Sequence, residues 1–270
     1  MFEKNNLHAE TKKVILRLDS TQFPETFAAL SNVFLNNETP FALASKLVNC
    51  DNPKPLPFFL VEFITSLYEL EIAAGNHQAM NDLGALYYGG DRGFEQSFTK
   101  AVSLYQMAAE NGNAQAQENL GYCYYYGRDM EVDYEKAFHC FALGAFAGRL
   151  VSLYKIGDMY LNGYYVKKNE KEAFNIYSRC LSLMTDADQA TITGPVRLRL
   201  GKMLLSGNGT EQNAEAALLN FSIAEIALLQ MVKNGEFMYK KSLQDAIKGQ
   251  EQARALLARS LPDREWGFDD

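Results

Sequence analysis

His139 and Cys140 stand side by side, and a thiol beside an imidazole is the smallest set that can run nucleophilic catalysis. Neighbours on a helix diverge by about 100°, so these two side chains are expected to point apart. Cys50, Cys123 and Cys180 complete the cysteine set, with no CxxC pair and no regular spacing to a histidine. That pattern lacks the spacing of zinc and redox motifs. Asp186 and Asp188 would suit acid–base work as a pair. They fall in "MTDADQATITGP", expected to be an extended loop in which carboxylates are solvated. "LRLGKMLLSGNGT" sets glycines around Lys202, but GxxxxGK[ST], GxGxxG, GxSxG and HExxH are all missing. His8 and His77 lie in polar stretches and are expected at the surface. The expectation is a non-enzyme with no cofactor and no metal site.

Tyrosine is the residue type that stands out instead. "ENLGYCYYYG" holds Tyr122, Tyr124, Tyr125 and Tyr126 within five positions. Tyrosine offers a large amphipathic contact area at low entropic cost, which suits recognition of another molecule. The net charge of −7 argues against nucleic acid and anionic membranes as partners, since both select basic surfaces. No apolar run is seen that approaches the roughly 18 residues of a spanning helix, and no apolar segment follows the lysines of "MFEKNNLHAETKK". A cytoplasmic location is expected, with the cysteines as buried thiols.

The elements that would position these tyrosines repeat along the chain. "NDLGALYYGG", "ENLGYCYYYG", "YKIGDMYLNG" and "LRLGKMLLSG" align without gaps, with first glycines at Gly84, Gly121, Gly157 and Gly201. Three positions on come Tyr87, Tyr124, Tyr160 and Leu204, and six positions on a second glycine at Gly90, Gly127, Gly163 and Gly207. A second block carries Ala101, Ala137, Ala173 and Ala217, then Tyr105, Phe141, Tyr177 and Phe221, then Ala108, Gly144, Cys180 and Ala224. Successive first glycines are 37, 36 and 44 residues apart. Spacings of three and four place each set on one helical face. Glycine inside a helix costs about 1 kcal/mol relative to alanine, which is tolerated where a neighbouring backbone must come close. The second glycine is expected to end the helix in a left-handed cap. Each unit is therefore a helix–loop–helix hairpin that buries its apolar face only by stacking on the next.

The pattern L-G-x-x-Y-x-x-G followed by K-A-x-x-x-[YF]-x-x-A resembles the SEL-one-like repeat, a relative of the tetratricopeptide repeat. "ENLGYCYYYGRDMEVDYEKAFHCFALGAFAG" is the best copy, with Asp133 at the acidic position, Lys136-Ala137, and Gly148 closing the hairpin. The third copy has Met184, and the fourth Leu228, where a closing glycine is expected. "SLYELEIAAGN" is similar to "SLYQMAAENGN", which makes residues 58–76 a candidate preceding second helix. The resemblance implies an all-α fold, a right-handed α-solenoid of about four stacked repeats with helical caps. Residues 1–57 would form an N-terminal helical cap segment, 58–235 the repeats, and 236–270 a capping helix and an acidic tail carrying Trp266. "PETFAALSNVFLNN" and "PFALASKLVNC" are expected helices beginning at proline, and "DNPKPLP" is the best internal break.

In that family the first helices line a concave surface on which ligands usually bind. The residues implied for a protein or peptide partner are Asn81 and Tyr88; Tyr122, Tyr125 and Tyr126; Tyr154, Lys155 and Asp158; and Arg199 and Lys202. At about 100° per residue, Tyr122, Tyr125 and Tyr126 turn away from the hairpin core at Leu120 and Tyr124. Two functions fit: an adaptor that holds a protein segment, or a dedicated inhibitor such as an immunity protein, whose acidic surface would steer it to a basic toxin. Some cysteine-rich members of the family bind or hydrolyse β-lactams. They carry disulfide cysteines regularly spaced within each repeat, and this chain does not.

Overall fold

A computed structural model of the chain describes residues 6–36, 38–50 and 55–260. Among them the regular structure is helical: thirteen α-helices, two short 3-10 turns and no strand. The acidic tail with Trp266 lies outside the described residues. The chain divides into two units, residues 1–133 and 134–270.

Unit 1 holds α1 (Leu7–Arg17), α2 (Pro24–Asn36), α3 (Pro40–Asn49), α4 (Phe58–Ala73), α5 (His77–Gly89), α6 (Phe98–Glu110) and α7 (Ala114–Tyr126). Consecutive helices pack on each other. α2 and α3 begin at Pro24 and Pro40, as expected for a residue whose missing N–H is no loss in a first turn. α1–α3 share one core with the next two helices: Leu7, Val14, Leu43 and Leu47 cluster with Leu60 and Ile64 of α4 and Leu83 of α5. Residues 51–54 of the expected break lie outside the described residues. Just after them the Leu56 N–H donates to the Arg92 carbonyl at 3.1 Å, and the Arg92 guanidinium donates to the Cys50 carbonyl at 2.7 Å. The turn after α4 copies the turn after α6. Gly75 and Gly112 have φ of 84° and 82°, and the asparagine after each caps the next helix with its side chain.

Unit 2 holds α8 (Tyr134–Phe146), α9 (Leu150–Asn162), α10 (Glu170–Leu183), α11 (Gln189–Ser206), α12 (Ala214–Lys233) and α13 (Lys240–Ser260). The stretch expected to be an extended loop is mostly helix. Asp186–Asp188 form a single 3-10 turn, with Asp188 capping through Thr185, and α11 then runs through Pro195. Gly194 lets α11 close on α12: a Cβ there would meet Leu228 at 2.9 Å. At 18 and 20 residues, α11 and α12 exceed the 13 of α8 and α9, and Ile192, Leu228 and Met231 bury the added turns. α12 also corrects the expectation about apolar runs, for by length and composition it could cross a membrane. Its buried stripe of Phe221, Ala224, Leu228 and Met231 packs in the core with Ala246 and Ala253 of α13.

Inside three of the hairpins the first glycine has a specific use. A Cβ at Gly84 would lie 2.8 Å from the Tyr105 ring, one at Gly157 2.6 Å from Tyr177, and one at Gly201 2.9 Å from Phe221. The close neighbour is the second helix's aromatic ring rather than a backbone. The four cap glycines are left-handed, with φ of 65°, 66°, 73° and 76° at Gly90, Gly127, Gly163 and Gly207. Past each cap the chain folds back. The Ser97, Asp133, Asn169 and Asn213 N–H groups donate to the carbonyls of Tyr87, Tyr124, Tyr160 and Leu204 at 2.9–3.0 Å.

Candidate functional site

The residues that the repeat pattern assigns to one ligand-facing surface meet different fates. Asn81, Tyr154, Lys155 and Asp158 are buried, which corrects their placement on an accessible face. The reason lies beyond the hairpin. The position three before the first glycine is buried in all four repeats, at Asn81, Glu118, Tyr154 and Leu198. Where the partners are seen, first helices of successive repeats lie side by side over these positions. In unit 1 the Asn119 amide of α7 donates to the Asn81 Oδ1 of α5 at 3.0 Å. In unit 2 the Arg199 guanidinium of α11 grips Asp158 of α9, with Nη2 at 2.7 Å from Oδ2 and Nε at 2.5 Å from Oδ1.

Asp158 is the hub of a buried polar cluster. The Tyr177 hydroxyl donates to its Oδ1 at 2.7 Å, and the Lys155 ammonium lies 3.6 Å from its Oδ2. Arg199 also sits over the Tyr154 ring at 4.9 Å and donates to the Pro195 carbonyl at 2.9 Å. Burial alone pushes the Asp158 carboxyl up, but Arg199, then Lys155 and Tyr177, outweigh it and hold it below 3.8. The ionised acid and its cations are fixed together, a positioning network between repeats. Lys202 is exposed and pairs with Asp245 of α13 at 2.6 Å.

The tyrosines of unit 1 form the other grouping. Tyr126 is 48% exposed, and Tyr88, Tyr122 and Tyr125 are half-buried. Tyr122 stacks on Tyr126 with centroids 6.1 Å apart, and Tyr125 meets it edge-on at 4.9 Å. Tyr88 packs edge-on against Phe98 at 5.2 Å. Arg128 joins the two sets, its guanidinium carbon 5.1 Å from the Phe98 centroid and 5.8 Å from that of Tyr126. The outcome is one partly exposed patch of rings with a cation inside it. Neither Arg128 nor Phe98 was foreseen as a site residue. The available signal was the position of Arg128, next to the cap glycine of the tyrosine-rich helix.

The chemical candidates do not converge. His139 is exposed on α8 and Cys140 is buried, as their adjacency predicts. All four cysteines are buried, and burial pushes the Cys180 thiol up to about 12. Among the described residues no group of three His, Cys, Asp or Glu is placed to hold a metal ion.

The repeat spacing, the glycine-seated rings and the left-handed caps coincide with a known family. The family described as Sel1 repeat matches residues 77–113, 114–146, 150–179 and 197–224. The chain is a Sel1-repeat protein. The added turns at the start of α11 and the end of α12 lie outside the matched residues. A crystal structure of c5321, described as a protective antigen present in uropathogenic Escherichia coli strains and displaying an SLR fold, is similar at 19% identity with a TM-score of 0.58. That match covers 93% of this chain and 56% of the other, so the present chain spans just over half of c5321. A Sel1 repeat protein from Oxalobacter formigenes is similar at 19% identity and a TM-score of 0.56, over 85% of this chain and 96% of that one. Both show the same helical-repeat solenoid fold. No curated protein matches the sequence.

Proposed function

We propose that this Sel1-repeat protein is a non-catalytic binding module that holds a protein or peptide segment against the tyrosine patch of unit 1. Sel1 repeats typically mediate protein binding, which supports the class of function. The observation that supports the place is Tyr126, half exposed among Tyr122 and Tyr125 at the end of α7. Clusters of accessible aromatic rings mark interaction surfaces, because rigid rings bury area at small entropic cost. Asn81, Tyr154, Lys155 and Asp158 are not part of the proposed surface, since they are buried. Four buried cysteine thiols are in keeping with the cytoplasm as its proposed compartment.

The test is affinity capture with the wild type beside a Tyr122→Ala/Tyr125→Ala variant, with far-UV circular dichroism confirming that both are folded. A partner held by the wild type and lost by the folded variant is the expected result. Equal capture by both sinks the assignment of this patch.

A further inference from the structure

Arg128 is built like Arg199 with one component missing. Both guanidinium groups lie over aromatic rings, Arg199 over Tyr154 and Arg128 between Phe98 and Tyr126. Arg199 gives its Nε and Nη2 to the two oxygens of Asp158. The Nε of Arg128 is enclosed and has no hydrogen-bond partner. Among the described residues its guanidinium makes no ion pair, although Asp129 and Glu131 come soon after it in the chain. An enclosed donor without an acceptor is unfavourable, and a cation partly stripped of water by rings gains more from an anion than a solvated one does. The planar fork of arginine suits a carboxylate above other acceptors.

We propose that Arg128 receives the carboxylate of an aspartate or glutamate side chain from the bound polypeptide, with an apolar residue of the same segment lying on Tyr126 and Tyr122. Arg128 is half-buried and bounded by rings. A carboxylate on a flexible side-chain stem reaches such a cation while its backbone stays outside, whereas a chain terminus would have to bury backbone with it. The inference rests on the proposed function and adds the chemistry of the partner.

A library of random peptides is selected separately on the wild type, on Arg128→Gln and on Tyr122→Ala/Tyr125→Ala. A leading wild-type peptide is then titrated as its Glu and Gln versions, each with a free and an amidated C-terminus. The expected result is an acid next to an apolar residue in the wild-type peptides. Replacing Glu by Gln should then weaken binding about tenfold on the wild type and under about twofold on Arg128→Gln. An equal loss on both proteins overturns the assignment of Arg128. So does a loss caused by amidation rather than by the side chain. Peptides without an acid that still need Tyr122 and Tyr125 overturn this inference and leave the tyrosine patch standing. Failure to select any peptide that depends on those tyrosines overturns both.

Discussion

Arg199 in unit 2 and Arg128 in unit 1 use the same chemistry to opposite ends. Arg199 is closed by the two oxygens of Asp158 and by the Pro195 carbonyl, so each of its three nitrogens donates inside the protein. Arg128 has rings on its faces and, among the described residues, no acid paired with it. The first arrangement fixes one repeat against the next. The second leaves bonding capacity for something outside the chain. Proximity of arginine to tyrosine therefore does not separate architecture from recognition, and the presence or absence of the anion does.

The largest expected effect lies on the closed side. Asp158→Asn leaves the half-buried Arg199 without its counter-charge and takes an anion from Lys155, a change that typically destabilises by about 3–5 kcal/mol. Urea denaturation at neutral pH measures it. The pH dependence gives a second handle. The folded-state carboxyl lies below its ordinary value of 3.8, so its contribution is complete about one unit above that value and disappears as pH falls through the folded value. The stability gap between wild type and Asp158→Asn should thus be constant from neutral to about pH 5 and shrink below about pH 4. A gap that does not change with pH would show that the cluster's contribution is packing rather than charge.

A smaller effect tests how firmly the Asp158 cluster holds its ring. At Gly157 an added Cβ would meet Tyr177 at 2.6 Å, and that ring is pinned by its bond to Asp158. Gly157→Ala is expected to cost about 1–3 kcal/mol, against the gain of up to about 1 kcal/mol that alanine brings to an ordinary helix position. At Gly84 the added Cβ would meet Tyr105 at 2.8 Å. No hydrogen bond holds the Tyr105 hydroxyl among the described residues, so Gly84→Ala is expected to cost less. Thermal melts of the two variants rank them, and equal losses would remove Asp158 from the explanation.

These contrasts mark how far the sequence could be read. Helix ends and hairpin pairing depend on residues within one repeat, and the glycines at 84, 90, 157 and 163 carried them with their spacing intact. Exposure depends on the next repeat. A helical wheel drawn for one hairpin turns Tyr154 and Asp158 outward, and only the neighbouring α11 shows that they are covered. Residues 189–195 were illegible for a related reason. Gly194 and Pro195 suggest a loop until Leu228 of a lengthened α12 is seen to need the space over Gly194. The tyrosine cluster was visible as composition, but the cation within it was not, because Phe98 and Arg128 meet only after the chain has turned twice.

The smallest expected effect falls on the open side. Arg128→Ala removes two ring contacts of a half-buried cation, worth about 1 kcal/mol each, and it also removes an enclosed donor whose unmet hydrogen bond was itself unfavourable. The two changes oppose, so stability should move by less than about 1 kcal/mol, several-fold less than for Asp158→Asn. Chemical denaturation of both variants under one set of conditions makes the comparison direct. A loss for Arg128→Ala as large as that for Asp158→Asn would mean that Arg128 is holding the fold, and the contrast between a closed and an open arginine would fail. A small loss accompanied by weaker peptide binding is the pattern expected of a side chain kept for a partner.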